Sequence, residues 1–146
     1  MFEALLNRLT APEPDPLTED DSRLALAALL VRVAKVDGEY AQAEVTQIDR
    51  VLTARYALGP FEVAKLRGEA EKLEQAETDT VRFTRAIKDA VAYEDRTAVM
   101  VALWKIALAD GGRDYEEDAL LRLVAPRLGS NDRDSALARQ QAQASA

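Results

Sequence analysis

The chain has 146 residues, 26 acidic against 19 basic for a formal charge of −7, and neither cysteine nor histidine. That length suits one domain with one sizeable core, and the mix of apolar and charged residues is that of a soluble globular protein. The two missing residue types exclude disulfides, thiolate nucleophiles, sulfur-based zinc sites and histidine-dependent catalysis, while the acidic balance argues against nucleic acid as a partner.

Phe2, Leu5, Leu6 and Leu9 fall on one face of a short N-terminal helix. Pro12, Pro14 and Pro16 then impose an extended linker, so residues 1–16 form an appendage. Two readings of that helix stay open: docking on the main body, which is favoured, and an anchor to a membrane surface or partner through residues 2–9. Thr18 and Asp21 resemble a capping box, and Glu19, Asp20 and Asp21 suit the positive end of a helix dipole. The helix that starts there runs to Val36 and is apolar on nearly every side from Leu24 onward, as a central helix is. Asp37-Gly38 closes it.

A further helix from Ala41 to Tyr56 presents Val45, Ile48, Leu52 and Tyr56 on one face. Gly59-Pro60 stops it and opens the next, which buries Val63, Leu66, Ala70 and Leu73 and turns Glu69, Glu71, Lys72 and Glu74 to solvent. Thr78 or Asp79 caps a helix carrying Phe83, Ile87 and Val91. Glu94 and Asp95 open the second central helix, which reaches Ala109 and holds Trp104 as a core residue in preference to a ligand-stacking ring. After Asp110-Gly111-Gly112, a helix from Tyr115 faces Leu120, Leu121, Val124 and Leu128 inward, and Pro126 bends it or ends it early. Ser130 and Asn131 can cap a last helix from Asp132 whose tail frays. No strand pattern occurs, so the fold class is all-α, with residues 17–129 as the helical domain and 130–146 as a C-terminal helix and tail.

Two stretches repeat one another. Setting Ala25–Glu44 on Ala98–Glu117, 73 residues further on, aligns Asp37-Gly38 with Asp110-Gly111, Leu30 with Leu103, Arg32 with Lys105 and Glu44 with Glu117. A helix-turn-helix unit used twice makes each copy the cover for the other's apolar helix.

The paired turns carry the only constellation with chemical character: Asp37, Glu39 and Glu44 in the first, Asp110, Asp114 and Glu117 in the second. With no nitrogen or sulfur ligands, such a site suits a hard divalent cation such as calcium, magnesium or manganese. The spacing is not that of an EF-hand, since Gln42 and Tyr115 stand where its glycine belongs. The competing reading, and the favoured one, is helix-end electrostatics: Asp-Gly ends helices, and acids in a first turn are stabilised by the dipole.

VAKVDGEY with Glu44, ALWKIALADGGRDYEE, and RFTRAI between them resemble the tellurite-resistance TerB-like family from Leu17 to Gly129. The resemblance implies an all-α TerB-like bundle of about seven helices, with two central helices ringed by the rest. It also implies acidic surface clusters that handle divalent metal, matched by Asp37, Glu44, Asp110 and Glu117. Gly112 standing where the first copy has Glu39, and Pro126 within a helix, depart from a symmetric pattern. The expectation is a cytoplasmic, non-enzymatic module in a stress- or metal-linked process, acting on an unidentified protein partner with a weak divalent cation at the turns. The alternative is a pure protein- or membrane-surface scaffold with no metal site.

Overall fold

The two most apolar stretches of the sequence form two helices at the centre of a bundle. The structure is a computed structural model; it describes residues 19–35, 40, 42–77, 84–85, 88, 96–108 and 115–144, with backbone alone at 19–22, 115–119 and 132. Among the described residues there are six helices and no strand: α1 (Glu19–Lys35), α2 (Gln42–Tyr56), α3 (Pro60–Ala76), α4 (Arg96–Ala107), α5 (Tyr115–Arg127) and α6 (Asp132–Ala144). The expected N-terminal helix over Met1–Leu9 lies outside them, as does most of the one carrying Phe83, Ile87 and Val91.

In α1 every side chain from Leu24 to Ala34 is buried except Arg32, and in α4 every one from Val99 to Ala107 except Lys105. Alanine and leucine dominate the first, whereas the second mixes alanine with valine, isoleucine, methionine and tryptophan, so burial on nearly every side is what the two share. α1 and α4 pack on each other, and each carries its own set of neighbours: α1 rests most extensively on α3, and α4 on α6. The cross-contacts also correspond, α1 with α5 and α2 with α4. Helix starts follow the same spacing, Gln42 and Tyr115 being 73 residues apart and Pro60 and Asp132 one fewer.

The helix ends explain why these segments stop where they do. α3 opens with Pro60 at its first position behind extended Gly59, whose carbonyl accepts from the Val63 N–H at 3.0 Å. α5 runs one residue past Pro126 and closes in a Schellman motif: Ser130 N–H donates to the Ala125 carbonyl at 2.8 Å and Gly129 N–H to that of Pro126 at 3.0 Å. Gly129 supplies the left-handed residue (φ 82°) that this motif requires. Just past α2, Ala57 takes a positive φ of 53°. Asn131 caps α6 by accepting from the Asp134 N–H at 2.7 Å.

The expected apolar stripes lie inward. Ile48 and Leu52 of α2, Val63, Ala70 and Leu73 of α3, and Leu121, Val124 and Leu128 of α5 are buried, with Leu66 and Leu120 packed at the margin. Trp104 is core, 5% exposed; its Nε1–H donates to the Ser135 hydroxyl at 3.3 Å and the Arg139 guanidinium lies 4.9 Å from its ring centroid. No helix among the described residues is long and apolar enough to cross a membrane.

Candidate functional site

Of the six acids singled out from the sequence, Asp37, Glu39, Asp110 and Asp114 lie outside the described residues, and Glu117 is placed only as backbone in the first turn of α5. Glu44 is described and is 1% exposed, in the first turn of α2. The helix dipole favours a carboxylate at that position, as the helix-end reading supposes. Among the described residues, no group of three or more acids is placed to hold a metal ion.

Just beyond that turn a polar seam joins α2 to α3. Arg67 Nε donates to Asp49 Oδ1 at 2.7 Å, and its guanidinium reaches Glu71 Oε1 at 3.5 Å. Burial works against the Arg67 charge, but the hydrogen bond and charge of Asp49, together with the Glu71 carboxylate, outweigh it and hold the guanidinium more firmly protonated than usual. Half-buried Tyr40 stands at the end of this row. Burial first, and then the Glu71 carboxylate, push its hydroxyl well above the ordinary tyrosine range, so it stays neutral. The row is therefore a set of compensated charges with no activated nucleophile.

A second seam joins α1 to α3. Arg32, the one charged residue inside the buried run of α1, donates through Nε to Glu74 Oε1 at 3.4 Å and through its terminal nitrogen to the Glu74 carbonyl at 2.9 Å and to the Glu77 carbonyl. Lys35 Nζ meets the other Glu74 oxygen at 2.8 Å. Glu74 is thus not the solvent-facing residue expected from the periodicity of α3; its side chain is 12% exposed and pairs with two cations. The signal for this was Arg32 itself, because a cation in a fully buried stretch requires a partner. Its guanidinium also satisfies carbonyls that the end of α3 leaves without intrahelical donors.

Two open concavities lie among the described residues. A groove of about 360 Å³ is lined by Arg23, Leu24, Leu58, Phe61, Lys65 and Leu66 among others, and Phe61 at its mouth is 83% exposed. Sequence periodicity gave Phe61 no role. A cleft of about 370 Å³ lies between α2, α4 and α6, with Val51, Ala98, Val101 and Ala102 on its walls and Arg55 and Lys105 among its lining residues.

These features define an all-α bundle in which two polar seams join neighbouring helices and the described surface offers apolar recesses. The chain belongs to the TerB family: the family model described as tellurite resistance protein TerB matches residues 23–140, from the second turn of α1 through most of α6. No curated protein and no solved structure matches it.

Proposed function

We propose that this chain is a non-enzymatic interaction module in a tellurite-resistance-type process, linked to stress or metal, and that it recognises an amphipathic helix of a protein partner. The observation that carries this reading is Phe61, an aromatic side chain 83% exposed at the mouth of a groove containing Leu24, Leu58 and Leu66. Large aromatics left in water beside an apolar recess are the usual anchors of protein interfaces. The rim carries Arg23 and Lys65 together with Glu62 and Glu69, which suits the mixed charged flanks of an amphipathic helix rather than a uniformly charged ligand. The missing cysteine and histidine support the non-enzymatic part of the reading.

The decisive experiment is genetic. In the native host, deletion of the gene should sensitise cells to tellurite, and Phe61→Ser at an unchanged protein level should reproduce that sensitivity. Full resistance in the Phe61→Ser strain overturns the groove as the working surface. A weak divalent cation at the turns around Asp37 and Asp110 is a separate clause of the proposal, supported by the clustered oxygen donors of Glu39, Glu44, Asp114 and Glu117 in the sequence. Calorimetric titration with calcium, magnesium and manganese should show saturable binding that Asp37→Asn with Asp110→Asn abolishes. No heat at millimolar metal leaves the scaffold reading alone.

A further inference from the structure

Charges that leave solvent in this bundle are generally matched. Arg32 and Lys35 share Glu74, Arg67 takes Asp49 and Glu71, and Arg139 covers the Trp104 ring. Arg55 and Lys105 differ. Both are partly buried and line the cleft between α2, α4 and α6, yet among the described residues no carboxylate forms an ion pair with either. Arg55 lies 5.7 Å from the Tyr56 ring centroid and its buried Nε has no hydrogen-bond acceptor. A partly desolvated cation without a counter-charge is a standing electrostatic cost, and a ligand carboxylate relieves it.

The other half of the chain shows what fills an equivalent position. Lys105 aligns with Arg32 in the sequence, and Arg32 receives its carboxylate from α3, the helix packed most extensively on α1. For Lys105 the helix so placed is α6, which contributes to the cleft lining the uncharged Gln141. Beside the two cations, Val51, Val101, Ala98 and Ala102 form an apolar wall with room for one aliphatic side chain. Ala54, Ala98 and Gln141 are exposed, so the cleft opens to solvent and a passing chain can lie across it.

We propose that this cleft binds an acidic peptide segment of a partner, one carboxylate lying between Arg55 and Lys105 and a neighbouring aliphatic side chain resting on Val51 and Val101. The net charge of −7 repels anions from the molecule as a whole, so binding depends on the two cations and the apolar wall meeting at one place. The cleft shares no lining residue with the Phe61 groove, and the assignment stands or falls independently of it.

The test is titration of the full chain, by calorimetry and by methyl NMR, with a blocked peptide of alternating aspartate and leucine, its asparagine analogue, and octanoate. The aspartate peptide should bind in the range of about 0.1–1 mM, shift the Val51 and Val101 methyls, and weaken as salt is raised. Arg55→Gln with Lys105→Gln should weaken it by about tenfold or more, and Lys105→Gln alone serves if the double variant melts early. Equal binding of the asparagine analogue, no binding by any probe, or shifts confined to Leu24 and Leu58 overturns the site. Octanoate binding as tightly as the peptide overturns the peptide assignment.

Discussion

Replacing Arg32 with methionine removes the cation that joins α1 to the end of α3 while keeping the length of the side chain. The guanidinium donates to the backbone carbonyl of Glu74 in α3 and to that of Glu77 just past its end, and more loosely to the Glu74 carboxylate, all with the Arg32 side chain only 12% exposed. Hydrogen bonds from a charged donor contribute about 1.5–3 kcal/mol each, and the desolvation of arginine that is avoided returns part of that. Lys35 still holds Glu74 at 2.8 Å, so the carboxylate is not abandoned. The expected net loss is about 3 kcal/mol, placed at the strong end because the carbonyls of Glu74 and Glu77 both lose a charged donor. In urea, with a slope of about 2 kcal/mol per molar for a domain of this size, the midpoint should fall by about 1.5 M. Arg32→Lys should recover little, because an ammonium cannot span both carbonyls and the carboxylate as the planar fork does. Arg32→Met combined with Glu74→Leu should be more stable than the sum of the two single changes implies, since a matched apolar pair replaces a buried ionic one. A shift of the midpoint below about 0.3 M for Arg32→Met would refute the view that this seam holds α3 onto the core.

Backbone effects separate three small-residue positions. Gly68, within α3, has open space where a Cβ would go, so Gly68→Ala should raise stability by about 0.5–1 kcal/mol in thermal or urea unfolding. Ala57→Gly should also stabilise, by up to about 1 kcal/mol, because Ala57 holds a φ of 53° that glycine adopts without strain. Gly129→Ala should cost about 1 kcal/mol or more, its φ being 82° and its added Cβ falling 2.8 Å from an Arg96 nitrogen. At alkaline pH, Tyr40 should ionise later than an ordinary tyrosine. Its folded-state pKa is raised, so the unfolded chain loses that proton first, and stability present below about pH 10 declines as pH rises beyond it. Difference absorbance between the wild type and Tyr40→Phe reads the ionisation directly, and Glu71→Gln should move it toward the ordinary value; normal ionisation of Tyr40 in the folded chain would contradict the assigned environment.

The sequence was most informative where one physical demand dominated a segment. Leu24–Ala34 and Val99–Ala107 offer no polar face to water, so their place at the centre followed from composition alone. Gly59-Pro60 and Asn131 marked helix boundaries because their backbone chemistry is local. Surface assignments were weaker. Helical periodicity put Glu74 outward with its neighbours on α3, whereas α1 approaches closely enough for Arg32 and Lys35 to claim it. Periodicity records which residues share a face and not which other helix covers the edge of that face.

The sequence by itself determined the helical class, the two central helices, the helix boundaries at Gly59-Pro60 and Asn131, and the exclusion of thiol and imidazole chemistry, because each depends on residue type and short-range spacing. Only the tertiary structure decided that Arg32 finds its carboxylate 42 residues away on α3, that Phe61 stands in water, and that Arg55 and Lys105 meet at one cleft. Those are relations between helices distant in sequence, fixed by how side chains interlock where the helices pack, and no local pattern encodes them.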